Sequence, residues 1–203
     1  MDPEGGGGEH RLIVAGFGGQ GVLTLGKILC IAAMAEGKKA TYLPAYGGEV
    51  RGGTANCQVV VSGDTIYSPL VEKADSLIML NQLSYDRFAE LLKPGGLMLM
   101  NSSLVDPAGT DCRATVIPLP ATEVAAEMGD VRVANIIMLG AFVRRTGLVG
   151  PDSCAAALQD LLGQRKAALA ELNEQALARG REMADQFASG TPGGPAAPPG
   201  TGA

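Results

Sequence analysis

The sequence lacks tryptophan, and aromatic residues make up only 4% of its 203 residues. Flat side chains on which nucleic-acid bases could stack are therefore scarce. Positive charge is also limited, because 16 Lys and Arg stand against 21 Asp and Glu, which gives a formal net charge of -5. No basic patch or stripe appears along the chain, so the composition argues against nucleic acid as a partner.

Cysteine and histidine are sparse as well. The four cysteines, Cys30, Cys57, Cys112 and Cys154, form no C-x-x-C pair, and their wide gaps do not fit zinc or iron–sulfur spacing. We expect reduced thiols, with Cys30 and Cys154 acting as small core residues. The single histidine, His10, follows a run of glycines near the N-terminus, and we expect it to be solvated rather than catalytic. The sequence predicts no metal site in this chain.

Hydrophobic runs of membrane-spanning length are also missing. A long apolar segment, residues 22–35, contains Gly26 and Lys27 and is too short to cross a bilayer. Residues 1–9 are acidic and glycine-rich, unlike a secretory signal. We therefore expect a cytoplasmic protein with no membrane partner. With 46% hydrophobic residues, the chain can form the core of one domain of ordinary size.

Glycine, by contrast, is abundant, and its arrangement is informative. The hexapeptide Gly16-Phe17-Gly18-Gly19-Gln20-Gly21 follows the apolar run 12–15 and precedes the apolar segment 22–35. This order predicts a strand, a glycine turn and a helix. Such glycines permit a tight turn, the close approach of a phosphate and close packing of helix on strand. The N–H groups at the start of the helix would favour an anion. A turn that only packs the helix on the strand is the alternative.

A second glycine-rich segment, residues 46–56, follows a predicted strand at 40–43. It contains too much glycine for a helix or strand and too many functional side chains for a plain linker, and loops at the end of a sheet commonly carry binding residues. A structured crossover in which Arg51 pairs with Glu49 is the alternative. In a dinucleotide enzyme an acidic residue would end the second strand, but this strand runs into Pro44, which argues against NAD.

The rest of the chain alternates between strand and helix patterns. We predict strands at 57–61, 76–80, 97–100 and 114–117, a hairpin return at 65–68, and helices at 85–92, 123–128, 133–145, 153–162 and 167–187. Gly37, Thr122 and Asp152 are the predicted helix caps.

This pattern predicts an α/β fold. We expect a Rossmann-like, mostly parallel sheet with helices on both faces, one antiparallel hairpin and a helical C-terminal part. The predicted domain covers residues 11–187. It follows a flexible N-terminus at 1–10 and precedes a disordered Gly/Pro/Ala tail at 188–203, which has too little apolar surface to order itself.

The two glycine-rich segments together carry a family resemblance. The stretch from Ala15 to Gly21, followed by Tyr46-Gly47-Gly48-Glu49-Val50-Arg51-Gly52-Gly53-Thr54-Ala55-Asn56-Cys57, resembles the gamma subunit of 2-oxoacid:ferredoxin oxidoreductases. The resemblance covers residues 10–187. Residues 51–57 are most similar to the branch that acts on 2-oxoglutarate or branched-chain 2-oxoacids. Gly48 stands where the family usually has Pro, which bears on the stiffness of the loop.

The resemblance implies a subunit of an enzyme that decarboxylates a 2-oxoacid oxidatively and forms an acyl-CoA, with 2-oxoglutarate favoured. Such an enzyme is an oxidoreductase acting on the oxo group of donors, with an iron–sulfur protein as acceptor. Thiamine diphosphate and [4Fe-4S] clusters are implied on partner alpha and beta subunits, or on a ferredoxin-like delta subunit, with ferredoxin as the acceptor. The chain alone is expected to be inactive, to hold no cofactor tightly and to contact coenzyme A.

The candidate site combines both segments at the edge of the sheet. The predicted cofactor-binding residues are Gly16, Gly18, Gly19, Gln20, Gly21, Tyr46, Glu49, Arg51, Gly52, Gly53, Thr54, Asn56 and Asn81. We expect Gly18, Gly19 and Gly21 to offer backbone N–H groups and Gln20 to offer an amide. Arg51 would supply the positive charge for a phosphate or carboxylate, and Thr54, Asn56 and Asn81 are candidate neutral donors. No catalytic residue is expected in this chain.

Two other classes of function stay open. A free-standing nucleotide-binding oxidoreductase would bind NAD or FAD tightly. A noncatalytic interaction module would leave the glycine turn empty and dock a partner through its apolar helices.

Overall fold

A computed structural model describes residues 8–46, 53–106, 114–162 and 167–187. Within these ranges the chain folds into one six-stranded sheet with helices packed against it. The predicted N-terminal and C-terminal boundaries stay predictions, because residues 1–7 and 188–203 lie outside the described ranges. No helix in the described ranges combines the length and the apolar character needed to cross a membrane.

Strands and helices alternate along most of the chain. The strands are β1 (His10–Phe17), β2 (Lys39–Tyr46), β3 (Thr54–Ser62), β4 (Ala74–Met79), β5 (Leu92–Asn101) and β6 (Thr115–Leu119). The helices are α1 (Val22–Ala35), α2 (Gln82–Phe88), α3 (Ala121–Glu127), α4 (Ala134–Thr146), α5 (Pro151–Leu162) and α6 (Ala167–Gln186). Single 3-10 turns at Ala89–Leu91 and Val131–Val133 follow α2 and precede α4. The structure agrees with the predicted first helix at both ends.

The sheet has the strand order β2-β3-β1-β4-β5-β6. Strands β1, β4, β5 and β6 run parallel, whereas β3 runs antiparallel to both of its neighbours, β1 and β2. The predicted fold class, a mostly parallel α/β sheet, is confirmed.

The antiparallel part of the sheet has different partners from those predicted. Residues 65–71 form no strand, and β3 pairs with β2 and β1 instead. Pro69 has no N–H to give to a strand ladder, which disfavours the predicted return. The segment lies on one face of the sheet, where Val71 packs against Val60 and its N–H donates to Gln58 Oε1 at 2.6 Å.

Both faces of the sheet are buried, as β1 shows most clearly. Leu12 and Val14 point into the larger core, formed with α1, α4, α5 and α6. Ile13 and Ala15 point into a smaller core on the other face, which α2 and Val71 help to cover. All four side chains are fully buried. The continuous apolar run at 12–15 therefore fits a strand that is covered on both sides.

The helix ends match the sequence in part. Gly37 adopts φ 76° directly after α1, so its predicted role at the end of the helix is confirmed. The predicted Thr122 cap is wrong, because α3 begins at Ala121 and the Thr122 hydroxyl accepts a hydrogen bond from Asn101 Nδ2 at 2.8 Å. Asp152 lies inside the first turn of α5 rather than before it, because α5 begins at Pro151.

Helices α4 and α6 cross with their backbones in close contact. A Cβ atom at Gly140 would lie 2.1 Å from the carbonyl oxygen of Leu177, and one at Gly180 would lie 1.9 Å from that of Ile137. Neither approach leaves room for any side chain. The two glycines therefore set the distance between these helices.

His10 differs from the sequence-based expectation. It begins β1, its Nε2 lies 3.1 Å from Ser76 Oγ, and its ring packs edge-on against Phe142 with 6.0 Å between ring centroids. Burial lowers the pKa of His10, while the nearby Asp75 carboxylate raises it and Lys93 lowers it. The expectation of a solvated His10 is wrong because the strand starts earlier than the apolar run alone indicates.

The thiols in the described ranges behave as core residues. Cys30, Cys57 and Cys154 are buried and form no disulfide. Burial raises the pKa of each of these thiols to about 12. Because the thiolate is the reactive form, these groups are chemically inert near neutral pH. Cys112 lies outside the described residues.

Candidate functional site

The two glycine-rich segments meet at one edge of the sheet. Because β3 is antiparallel to β1, its first residue, Thr54, pairs with Phe17 at the end of β1. One residue further out, the Gly18 N–H donates to the Gly53 carbonyl at 3.0 Å. The end of β2 lies beside them, with Tyr46 paired to Ala55. The predicted meeting of the two segments is therefore confirmed at their described ends.

The two segments meet because of a strand order that differs from that of a Rossmann dinucleotide-binding fold. Strand β3 occupies the position beside β1, and β2 lies one strand further out. The end of β2 could not hold a ribose as the second strand of a dinucleotide fold does. An acidic residue at the end of β2 would therefore not lie where a dinucleotide fold places it.

The glycine turn depends on several of its glycines for different reasons. Gly19 adopts φ 99° and Gly21 φ 73°, conformations that are costly for other residues. Gly16 is needed for close packing, because a Cβ atom there would lie 2.7 Å from Gln20 Oε1 and 2.9 Å from Val22 Cγ2. The turn is closed by the Gln20 N–H, which donates to the Phe17 carbonyl at 3.1 Å.

The side chains of Gln20 and Asn81 support the turn from within. Gln20 Oε1 accepts hydrogen bonds from the Phe17 N–H at 2.7 Å and from Asn81 Nδ2 at 3.1 Å, and Gln20 Nε2 donates to the Leu80 carbonyl at 3.2 Å. Asn81 Oδ1 caps α2 by accepting from the Ser84 N–H at 2.9 Å. These bonds tie the turn to the end of β4.

Three of the predicted donors have hydrogen-bond partners within the chain. The amides of Gln20 and Asn81 are used inside the chain, and Asn81 is only 3% exposed. The Gly18 N–H is used by Gly53. These groups therefore support the turn, and their contact with a ligand stays a prediction.

Donors suited to an anion are still present at this edge. Among the described residues, the N–H groups of Gly19 and Gly21 have no hydrogen-bond partner. Helix α1 has no side-chain cap and no acidic residue in its first turn. Its first N–H groups and its dipole therefore favour a negative charge at this position.

The other predicted residues lie at differing distances from these donors. Thr54 and Asn56 pair with Phe17 and Ala15, and cross-strand partners share a face, so both lie on the face of the sheet away from α1. Asn56 is 9% exposed. Glu49, Arg51 and Gly52 lie outside the described residues, and their roles stay predictions, as does the stiffness of the loop at Gly48.

Sequence reasoning missed one residue that contacts the turn. Asn135, near the start of α4, donates from Nδ2 to the Gly21 carbonyl at 3.2 Å, across 114 positions of sequence. It is 5% exposed, and its Oδ1 has no hydrogen-bond partner in the described part of the chain. The available signal was a lone amide in an otherwise apolar helix segment, which gives no indication of its partner.

The segments that form the candidate site are also part of a match to a known protein family. Residues 11–183 match the family described as pyruvate ferredoxin/flavodoxin oxidoreductase. The chain belongs to this family. The match includes both glycine-rich segments and every strand and helix from α1 to α5.

Two curated relatives of this pyruvate ferredoxin/flavodoxin oxidoreductase family member differ in how much of their own length the chain spans. The chain is 45% identical over 144 residues to the ketoisovalerate oxidoreductase subunit VorA of Methanothermobacter thermautotrophicus, which covers 71% of this chain and 30% of that protein. It is 36% identical over 182 residues to the 2-oxoglutarate synthase subunit KorC of Methanocaldococcus jannaschii, covering 88% of this chain and 96% of KorC. The chain thus spans 30% of the length of VorA but nearly all of KorC.

One solved structure confirms the predicted resemblance to gamma subunits. The gamma subunit of the keto/oxoacid ferredoxin oxidoreductase from Geobacter sulfurreducens superposes with a TM-score of 0.72 at 30% identity, covering 87% of this chain and 99% of that one. The 2-oxoglutarate:ferredoxin oxidoreductase from Magnetococcus marinus, with 2-oxoglutarate, coenzyme A and succinyl-CoA bound, has a TM-score of 0.83 at 22% identity and covers 91% of this chain and 32% of that one. The second likeness shows the fold alone.

Proposed function

We propose that this chain is the gamma subunit of a multi-subunit 2-oxoacid:ferredoxin oxidoreductase, and that the edge formed by its two glycine-rich segments helps to bind coenzyme A. The observation that carries the proposal is the hydrogen bond between Gly18 and Gly53, which joins the two segments beside the start of α1. The KorC relative supports a subunit of this length, and the bound coenzyme A of the Magnetococcus enzyme supports the ligand class.

The residues at this edge fit a phosphate group. The N–H groups of Gly19 and Gly21 and the first turn of α1 supply donors, and no acidic side chain in that turn opposes an anion. Arg51 would add the positive charge, six residues or fewer from the described strand ends on either side. Gln20 and Asn81 hold the turn in place through their mutual hydrogen bond.

In the proposed assembly this chain binds coenzyme A and holds it in position, and the redox chemistry takes place on the partner subunits. Thiamine diphosphate and [4Fe-4S] clusters on alpha and beta subunits would supply decarboxylation and electron transfer to ferredoxin. The thiols of this chain in the described ranges are buried and free of disulfides, in keeping with that division. A delta subunit and a cytoplasmic location stay predictions.

Replacing Arg51 tests the ligand role directly. In the assembled enzyme, Arg51→Ala is expected to raise the KM for coenzyme A about tenfold or more, because a charged hydrogen bond to a phosphate is lost. The matched control is Arg179→Ala on the exposed side of α6, where Arg179 donates a hydrogen bond to Glu182. KM values for coenzyme A and the 2-oxoacid that both stay within about twofold of wild type would rule out this role of Arg51.

Purification of the full chain from its native cells tests the class of function. Co-purified alpha and beta subunits with brown iron–sulfur colour are the expected result. A lone protein loaded with NAD or FAD would support the free-standing oxidoreductase instead, and a colourless complex with unrelated partners would support the interaction module. Comparing kcat/KM of the purified complex for 2-oxoglutarate and for a branched-chain 2-oxoacid decides between the KorC-like and VorA-like substrates.

A further inference from the structure

We propose that Asn56 binds a secondary amide of the pantetheine arm of coenzyme A, on the face of the sheet away from α1. This inference rests on the proposed function, because it names the part of coenzyme A that this side chain holds. Asn56 lies in β3, three residues after Gly53, and so about 10 Å along the strand from the joined glycine-rich segments. The proposal therefore extends the site from the edge of the sheet onto one of its faces.

The side chain of Asn56 is buried and has no internal partner. Asn56 is 9% exposed, and its amide forms no hydrogen bond with any residue in the described ranges. Other amides of the sheet do have partners. Asn101 exchanges two hydrogen bonds with Thr122, and Gln58 Oε1 accepts from the Val71 N–H at 2.6 Å. Because an unpaired buried amide costs free energy, Asn56 is suited to a partner from outside the chain.

The neighbours of Asn56 leave its amide accessible from one side. Its cross-strand partners are Ala15 in β1 and Ala45 in β2, so small side chains flank it on both sides. Ala45 is exposed, and Thr54, the next residue along the same face, is partly exposed. On the side of β2, the neighbouring side chain is therefore too short to cover the amide of Asn56.

The absence of charge around Asn56 in the described part of β1, β2 and β3 limits what it can bind. Its neighbours along the same face, Thr54 and Gln58, and across the strands, Ala15 and Ala45, are all uncharged. A phosphate or carboxylate buried among these residues would lack a positive partner, which is costly. A neutral amide fits an asparagine in both directions, because Nδ2 can donate to its C=O while Oδ1 accepts from its N–H.

Two sources can supply such an amide: the pantetheine arm of coenzyme A and the main chain of a partner subunit. The continuity of the site favours the first. Thr54 lies between Gly53 and Asn56 and pairs with Phe17, the residue before Gly18, so the row leads directly from the joined segments to Asn56. A ligand with phosphates at the glycine turn and a neutral, amide-bearing arm matches this order of groups, whereas a main-chain segment brings no anion.

Calorimetry on the assembled enzyme, without 2-oxoacid, tests the inference with two probes. The probes are coenzyme A and 3′-phosphoadenosine 5′-diphosphate, which keeps the phosphates but lacks the pantetheine arm. In Asn56→Ala we expect the Kd for coenzyme A to rise about tenfold, because a buried amide pair is lost, and the Kd for the nucleotide to stay within about twofold. Gln175→Ala, which removes an amide from the exposed side of α6, is the matched control and should change neither value.

Each other pattern of Kd values overturns the inference in a different way. Unchanged values for both probes would remove Asn56 from the ligand and leave the phosphate site in place. An equal rise for both probes would mean that the substitution acts on the glycine-rich segments. Loss of partner subunits on purification of Asn56→Ala, with the affinity for coenzyme A kept, would point to a main-chain partner instead. If the wild-type enzyme binds neither probe, the proposed function fails and the inference falls with it.

The stability of the full chain separates a ligand-binding role of Asn56 from a structural one. Asn56→Ala breaks no hydrogen bond within the described part of the chain, so its urea midpoint should match that of wild type. Asn101→Ala is the matched control, because it breaks both hydrogen bonds with Thr122 and should lower the midpoint. If Asn56→Ala lowered the midpoint as much as Asn101→Ala does, Asn56 would support the fold, and the inference would be wrong.

Discussion

At Gly21 the backbone conformation, the start of α1 and the contact with Asn135 all depend on a missing side chain. Its φ of 73° is costly for any other residue, and a Cβ atom would also lie 2.2 Å from Asn135 Nδ2. We expect Gly21→Ala to lower the free energy of unfolding by about 3 kcal/mol or more, from backbone strain together with overpacking. The measurement is urea unfolding of the full chain.

Gly37 provides the matched control for this substitution. It has nearly the same φ, 76°, but a Cβ atom there would meet nothing within 4 Å. Gly37→Ala should therefore cost only the strain, about 1 kcal/mol. If the two substitutions cost the same, the contact with Asn135 contributes nothing to the fold of the turn.

The sequence predicts backbone needs at single residues better than it predicts side-chain partners. Gly16 and Gly21 were predicted as turn residues because glycine alone tolerates such conformations and close contacts. Gln20 and Asn81 were expected to face a ligand, yet they bond to each other, and Gln20 also donates to the Leu80 carbonyl just after β4. These partners lie about 60 positions apart in sequence, so a local pattern does not reveal them. The contact of Asn135 with the glycine turn could not be predicted from the sequence, because Gly21 is 114 positions away.

At the scale of elements, the predicted segments are nearly all present, but the partners of β3 were not predicted. Its apolar, β-branched sequence indicates a buried strand and carries no information about direction. The direction matters for the site, because an antiparallel β3 brings Gly53 to Gly18, while a parallel β3 would place its first residue at the opposite edge of the sheet. Pairing is decided by long-range contacts, which a single sequence does not display.

At the crossing of α4 and α6, replacing glycine by alanine should destabilise the chain, although helix propensity alone favours alanine. In an exposed helix, replacing Gly by Ala stabilises by about 1 kcal/mol. At Gly180 the added Cβ atom would lie 1.9 Å from the Ile137 carbonyl oxygen, which is backbone and cannot rotate away. We expect Gly180→Ala to destabilise the chain by about 3 kcal/mol or more, measured by thermal unfolding.

Ala178, which is exposed on the same helix, provides the reverse control. Ala178→Gly should cost about 1 kcal/mol from helix propensity alone. A Gly180→Ala chain with an unchanged or raised melting temperature would mean that the two helices do not cross at the distance described.

At the scale of the whole molecule, the candidate site and a charged cluster occupy the two opposite edges of the sheet, at the end and the start of β1. The edge with Gly18 and Gly53 carries the candidate site. The opposite edge, where β1 begins, holds a charged cluster in which Asp75 accepts from Lys93 Nζ at 2.6 Å and from the Arg11 N–H at 2.8 Å. The candidate site and this charged cluster lie at opposite ends of β1. Changes at His10 should therefore alter stability and leave ligand affinity intact.

This separation gives a pH dependence that can be traced to one group, because His10 is the only histidine in the sequence. Burial lowers the pKa of His10 from 6.5, against the opposing effect of Asp75, so the folded state binds the proton less readily than the unfolded state. Stability should therefore be fully present above about pH 6.5 and should fall as the pH drops below that value towards the lowered pKa. Asp75 does not titrate in this pH range. Burial raises the pKa of Asp75, but the hydrogen bonds from Lys93 and Arg11 lower it by more, so its pKa lies below 3.8.

The urea midpoint of the full chain, measured at about pH 5.5 and about pH 7.5, tests this dependence. His10→Gln keeps a polar group that can bond to Ser76 but does not titrate, so the difference between the two midpoints should shrink in that variant. Phosphate affinity at about pH 7.5 should be the same in both proteins, since His10 is neutral there and lies at the far end of β1. If the variant retains the full wild-type difference, another group is titrating, and the burial of His10 does not govern stability in this range.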